Sequence, residues 1–245
     1  FVINSITYIF VIFALLQMRE SEFFISEKKE TLGTIREGVN YALARPDLYV
    51  VMLVVFFVAT FGLNNQIFNA LMATEAFGKG PAAFGLLGTY LAIGSLSGAL
   101  YSARLEKYRR ATFVIKLGII FSIGVIGLSL APTFTWYAIW LPFVGFCALT
   151  LLITANSLIQ VNSDPAIRGR VSGIYLLIFM GGTPFGSPLI GTTTELIGIR
   201  PTIAVCGGIS LAASLFIWFR YKNRVQPPAD ISVASVLKTV DRNKD

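Results

Sequence analysis

Residues 164–191 read DPAIRGRVSGIYLLIFMGGTPFGSPLIG, and their interpretation decides the fold. Arg168 and Arg170 stand at the mouth of a run that meets no further charge until Glu195. Gly181, Gly182, Pro184, Gly186 and Pro188 fall inside that run. A soluble core helix would not tolerate them together, because each Gly costs about 1 kcal/mol and each Pro about 3 relative to Ala. Something other than water therefore surrounds the segment.

The rest of the chain agrees. Apolar residues make up 55% of it and charged residues 13%, with a mean hydropathy of +0.70, which places it outside the soluble class. A bilayer crossing takes roughly 20 mostly apolar residues. Segments that meet this test lie at 1–18, 48–72, 82–103, 112–131, 135–160, 171–194 and 201–219. Phe1 is preceded by neither a Met nor a basic region, so the segment is read as a span entered partway rather than as a signal peptide. Cys147 and Cys206 sit within apolar segments, where a small buried hydrophobe is the usual role.

The net charge of +7 is explained by its position rather than by nucleic acid, which is not an expected partner. Of the 20 Lys and Arg residues, all but Lys79 and Arg200 fall in alternate loops or the tail. This is the positive-inside asymmetry of a multi-pass protein of an inner or plasma membrane. It puts the linker 19–47, the short basic loops and the C-terminal tail 220–245 in the cytoplasm, the tail being polar, Pro-interrupted and expected to be disordered. On the plainest reading Arg168 and Arg170 are topology anchors at the end of a span.

Between Arg19 and Asp47 the spacing of Leu32, Ile35, Val39, Ala42 and Leu43 predicts an amphipathic connector helix. Thr31 or Thr34 would start it and Arg45, before Pro46, would end it. A bundle of six spans at 48–219 follows, with loops as short as GKGP at 78–81 and APTF at 131–134 that force antiparallel neighbours. Small residues four apart, Gly94/Gly98, Gly182/Gly186 and Gly208/Ala212, are expected at helix contacts. The predicted fold class is an all-α membrane protein: a six-helix transmembrane bundle plus the end of a preceding span.

NSITYI at 4–9, REGVNYALARPDL at 36–48 and above all LIQVNSDPAIRGRVSGIYLLIFMGGTPFGSPLIG at 158–191 carry a resemblance. With the six-span arrangement, they resemble the C-terminal half of a major facilitator superfamily transporter, in the branch holding enterobactin-type siderophore exporters and macrolide efflux pumps. The resemblance implies a missing N-terminal six-span half as partner, and alternating access by rocking of the two halves. The loop ARLEKYRRA at 103–111 departs from the family's Gly-x-Leu-x-Asp-Arg pattern, with Ala103 for the Gly and Lys107 where the Asp would fall. Gly173, Gly182, Gly186 and Gly191 echo the glycine spacing of the superfamily's antiporter signature, although Pro188 comes one residue late.

Two arcs of about 100° combine aromatic and polar side chains. One holds Phe57, Thr60, Phe61, Asn64 and Phe68; the other holds Trp136, Trp140, Phe143, Cys147, Thr150, Thr154 and Ser157. In the family resembled, these spans line the cavity. Phe57, Thr60, Phe61, Asn64, Trp140, Thr150, Thr154 and Ser157 are thus expected to bind a bulky amphipathic small molecule, with interhelical hydrogen bonding as the rival role. All 13 acidic residues lie in loops or near span ends and there is no His. A proton-carrying carboxylate is therefore expected outside this stretch.

No His rules out a Ser-His dyad or a His-ligated metal, GKG at 78–80 lacks Walker spacing, and no selectivity-filter loop appears. No cofactor or metal is expected, and no enzyme. The expected function is secondary active transport, namely export of a drug, macrolide or siderophore by proton-coupled antiport. The alternatives are import of a small solute or a non-transporting receptor or scaffold. Asp164, Arg168, Gly169, Arg170, Pro184 and Gly186 are expected to take part in gating. Asp164 would cap a helix starting at Pro165 and pair with Arg168. Gly169 would turn the chain before Arg170. The arginines would hold the connector or neighbouring spans in the outward-open state.

Overall fold

The computed structural model describes residues 8–10, 12, 13, 16, 17, 35–104 and 110–221. The chain forms two units, 1–34 and 35–245. In the first, residues 8–10, 12, 13 and 16 are helical. The expectations for 19–34, for Lys107, and for the tail beyond Tyr221 lie outside the described residues.

The second unit opens with α1 (Ile35–Ala44). Arg45 is extended, at φ −107° and ψ 100°, as a residue before proline must be, and Pro46 starts α2 (Pro46–Phe57) at a position where a missing N–H costs nothing. A π-helical turn, Val58–Gly62, a short break and α3 (Asn65–Leu71) complete, with a second π-helical turn at Met72–Ala76, a first span of Pro46–Ala76. The other spans are α4 (Pro81–Ala103), α5 (Ala111–Ser129), α6 (Phe134–Asn162), α7 (Arg168–Ile197) and α8 (Ile199–Tyr221). Among the described residues all regular structure is helical, and six helices are long and apolar enough to cross a membrane.

Tight connections fold the spans antiparallel. Gly78 at φ +59° and Gly198 at φ +85° take left-handed conformations in which a Cβ would be strained. The Thr133 hydroxyl accepts from the Trp136 N–H and caps α6. The bundle therefore has a basic end, where α2 and α7 begin and α6 and α8 finish, and an opposite end carrying Lys79 and Arg200. There Arg200 donates to the Ala131 carbonyl and lies over the Phe77 ring, while Lys79 lies over Phe134.

Lipid supplies no hydrophobic drive between helices, so contact rests on close backbone approach. The α4–α6 pairing is the most extensive. Gly94 lies against the Pro142 carbonyl, Gly98 against the Phe146 carbonyl and Gly145 against the Leu91 carbonyl, so closely that any added Cβ would overlap them. In α8 the contact residue is Gly207, pressed against Ile126 of α5, with Ser210 and Ser214 fully buried further along. The expected pair Gly208/Ala212 is set one residue off this face: Gly208 has open space around it and Ala212 is exposed. The most apolar windows of the first span, α5 and α6 are 56–61% buried, against 17% for α4 and 22% for α7. The bundle thus has a packed side and two spans whose surfaces await other partners, lipid or protein.

Candidate functional site

The first span breaks at its midpoint. The Leu63 N–H bonds to the Val58 carbonyl, closing a π turn, and Leu63 and Asn64 leave helical geometry at ψ 21° and 37°. The Thr60 carbonyl, which the Asn64 N–H would engage in an α-helix, is taken instead by the Asn64 side-chain amide at 2.9 Å. α7 lies directly against the break. Gly182 faces Thr60, Gly186 abuts the Thr60 carbonyl and lies within reach of the Asn64 amide, and a Cβ at either glycine would clash. α7 continues unbroken through Pro184 and Pro188, with the Ser187, Thr192 and Thr194 hydroxyls bonded back to its own carbonyls. Single π turns inside helices are frequent at functional sites, and this one carries two buried orphans. The Thr60 hydroxyl and the Asn65 side-chain carbonyl have no hydrogen-bond partner among the described residues.

Thr60 and Asn64 are thus brought together, but they are buried under α7 rather than facing open space. Phe57 and Phe61 are half-buried, and the Phe57 carbonyl accepts from Ser210 of α8. On α6 the arc does not form one wall with them. Trp140 donates its indole N–H to the Gly124 carbonyl of α5 at 2.8 Å. The Thr150 hydroxyl donates to the Phe146 carbonyl of its own helix at 2.6 Å and lies 3.4 Å from the Gly98 carbonyl of α4. Thr154 is buried and Ser157 half-buried. Trp140 is thus claimed by the contact with α5, since a buried N–H in a lipid-embedded bundle must find an acceptor, and Thr150, already satisfied within α6, packs beside α4.

The basic end holds a polar cluster that joins α1 to the bundle. Arg45 clasps Asp47 through both carboxylate oxygens, at 2.9 and 2.7 Å, with both side chains about nine-tenths buried. The hydrogen bonds to Asp47 hold the Arg45 pKa above its usual value, outweighing burial, which acts to lower it. Asn162, at the end of α6, donates to Asp47 at 3.2 Å. The Tyr41 hydroxyl accepts from Arg45 and from the Asp164 N–H, both at 3.3 Å. α1 crosses α7 at Gly38, whose Cα side lies against Arg170 and Ile174. Beside this contact, Arg170 pairs with Glu37, the residue before Gly38, at 3.3 Å.

The 164–170 element differs from its expected form. α7 begins at Arg168 rather than Pro165, and the Asp164 carboxylate accepts from the Ala166 N–H at 2.8 Å, capping a turn ahead of the helix. Arg168 consequently reaches the Ser163 carbonyl instead of Asp164. Gly169 does not turn the chain: it lies in the first turn of α7, exposed and with open space around it.

Sequence reasoning missed the Arg45–Asp47–Asn162 cluster because Arg45 reads as one more basic anchor. An Arg and an Asp flanking Pro46 at a span's entry was the available signal. It also passed over Gln66, Asn156 and Gln160, amides that are exposed on the described bundle. Gln160 donates to Asn156 at 3.0 Å. Exposed hydroxyls such as Thr89 and Ser97 instead bond to their own helix carbonyls.

The described residues form a six-span bundle with a broken first span packed on a Gly/Pro-rich fifth, and discontinuous spans of this kind are found in membrane transporters. Over residues 1–239 the chain matches the transmembrane secretion effector family, a family of major facilitator type, and it belongs to that family. It is 26% identical over 139 residues to an uncharacterized MFS-type transporter of Enterobacter sp. (strain 638), covering 55% of this chain and 35% of that one. It is 23% identical over 208 residues to an uncharacterized MFS-type transporter of Yersinia pestis (strain Pestoides F), covering 80% and 51%. In fold it is similar to a bacterial homologue of the human lysosomal transporter Spinster, solved in an inward-facing and occupied conformation. The TM-score is 0.55 at 21% identity, covering 82% of this chain and 46% of that one. The chain thus spans from about a third to about half the length of these relatives.

Proposed function

We propose that the chain is the C-terminal six-span part of a secondary active exporter of bulky amphipathic small molecules, of the drug, macrolide or siderophore kind. It would work by alternating access and proton antiport, with its C-terminus in the cytoplasm of a bacterial cell. The observation that carries this reading is the broken first span seated on Gly182 and Gly186 of α7. A discontinuous helix at mid-membrane is where transporters place substrate or gate between states. The largely uncovered surfaces of α4 and α7 suit a partner six-span half, across which the substrate path would run. Phe57, Phe61 and Ser157, half-buried, and the exposed amides Gln66 and Asn156 form its wall on this side. Thr60 and Asn64 act beneath that wall as the hinge; Trp140, Thr150 and Thr154 hold α6 in place. Arg170, bonded to Glu37, and the Asp164–Arg168 turn latch the connector on the basic side.

The test is a flux measurement with the full-length carrier in proteoliposomes, using a fluorescent amphipathic dye under an imposed proton gradient of either sign. Outward dye movement that collapses when the gradient is dissipated is the expected result. Flux indifferent to the gradient removes antiport; flux only inward makes the protein an importer; no flux with any amphipathic substrate leaves a non-transporting scaffold.

A further inference from the structure

α1 is docked by a narrower face than its apolar spacing implies. Gly38, Tyr41 and Ala42 make the contact, whereas Ile35, Val39 and Leu43 remain exposed. Val39, Ala42 and Leu43 form one wall of a groove whose other walls are Tyr49, Leu53 and Phe56 of α2 and Ile174 and Ile178 of α7. Its volume is about 180 Å³, against roughly 30 Å³ for one water in the liquid. With no polar side chain but the Tyr49 phenol along it, the groove offers a buried water one side-chain partner, fewer than the two to four it needs. It lies where the first span enters the apolar layer, so a hydrocarbon chain meets it at the right depth.

The mouth is cationic. Arg36 precedes Val39 by three residues and Leu43 by seven, which puts it on the same face of α1 as these two groove residues. On the other flank Tyr221 packs edge-on against Tyr49, with ring centroids 6.2 Å apart, and Arg220 lies over the Tyr221 ring. Both arginines are exposed. An apolar slot at bilayer depth beneath two exposed guanidiniums is complementary to one kind of molecule, an acyl chain ending in an anionic headgroup.

We propose that this groove is a binding site for an anionic phospholipid of the leaflet on the basic side, one acyl chain lying between α1, α2 and α7 and the phosphate held by Arg36 and Arg220. The bound chain glues the connector helix to α7 alongside the Glu37–Arg170 pair. Lipid composition therefore bears on how firmly α1 is held. The site is distinct from the substrate wall and does not depend on which solute is carried.

The test reconstitutes the whole chain in phosphatidylcholine nanodiscs with a trace of either phosphatidylglycerol or phosphatidylcholine bearing a diazirine in the acyl chain, followed by photolysis and peptide mapping. Adducts are expected on peptides holding Leu43, Leu53 or Ile174, with phosphatidylglycerol favoured. Arg36→Gln and Arg220→Gln should each cut that preference about fivefold. Leu53→Trp, or independently Ile178→Phe from the opposite wall, should abolish groove adducts for both lipids while adducts on the outer face of α4 persist. Adducts without groove enrichment, or a phosphatidylglycerol preference unmoved in the double arginine variant, overturn the proposal. So does a groove that neither lipid labels, which is the result if residues 1–34 fill it.

Discussion

Removing one member of the Arg45–Asp47 pair should be far more damaging than removing both. The two side chains are 9% and 11% exposed, joined by two hydrogen bonds, and the only other described partners are Asn162 for the carboxylate and Tyr41 for the guanidinium. Neither of those is charged. Arg45→Met leaves a buried carboxylate with one amide donor, and Asp47→Leu leaves a buried guanidinium with one phenol. Breaking a buried pair in this way costs about 3–5 kcal/mol, whereas replacing both partners by apolar groups of similar size is often neutral or stabilising. At about 2–4 °C per kcal/mol for a domain of 150–250 residues, each single variant should unfold roughly 6–20 °C below the parent. The double variant should return to within a few degrees of it. Thermal unfolding of the purified chain in detergent, followed by tryptophan fluorescence, measures all four corners of the cycle. Single variants that each lie within about 2 °C of the parent, or a double variant as unstable as the sum of the singles, would refute the account of this pair as buried and mutually dependent.

Gly98→Leu should prevent α4 from seating on α6, because its Cβ meets the Phe146 carbonyl; monodisperse protein should be lost, while Gly88→Ala, with open space around it, should be recovered at parental yield. Asn64→Leu removes the donor to the Thr60 carbonyl. It should change the substrate range or rate of the full-length carrier with membrane insertion intact, and unaltered transport of every substrate would make the break structural only. Arg170→Gln, which gives up the pair with Glu37, should slow turnover and raise labelling of a cysteine placed at Ser157 from the basic side; wild-type values of both would make the arginine an anchor. Cysteines at Lys28, Arg109 and Asn223 should be labelled from the cytoplasm alone and those at Gly80 and Thr133 from outside alone, and labelling of Gly80 and Arg109 from one side would overturn the topology.

The bundle was legible in the sequence because hydropathy, loop length and charge asymmetry act on whole segments. The six spans end within a few residues of their expected bounds, and Arg45 before Pro46 marks the end of α1 as its backbone preference requires. What was not legible is which neighbour each polar group finds. A helical wheel places Trp140 and Thr150 on one arc, yet Trp140 donates to α5, while Thr150 donates within its own helix and packs beside α4. The wheel knows angle and not the position of other helices. The Leu63–Asn64 break was hidden for a related reason: no Gly or Pro occupies those positions, and the kink is made by a π turn and a side-chain amide that replaces a backbone donor.

That replacement bears on how such a bundle moves. A backbone hydrogen bond removed by proline is absent in every state, since the missing N–H cannot be restored. At Asn64 the N–H is present, and only the amide side chain, the π turn and the two glycines of α7 keep it from the Thr60 carbonyl. Sliding α7 away would expose the Thr60 carbonyl and hydroxyl and let the Asn64 N–H regain its α-helical bond, freeing the amide. On the alternating-access reading proposed above, the break and the α7 contact would work as one element, in which the side-chain hydrogen bond is exchanged for a backbone one. Exchange of that kind permits rearrangement between states of similar energy, and on that proposed reading the switch would lie midway along the first span, where a carrier's substrate would bias it.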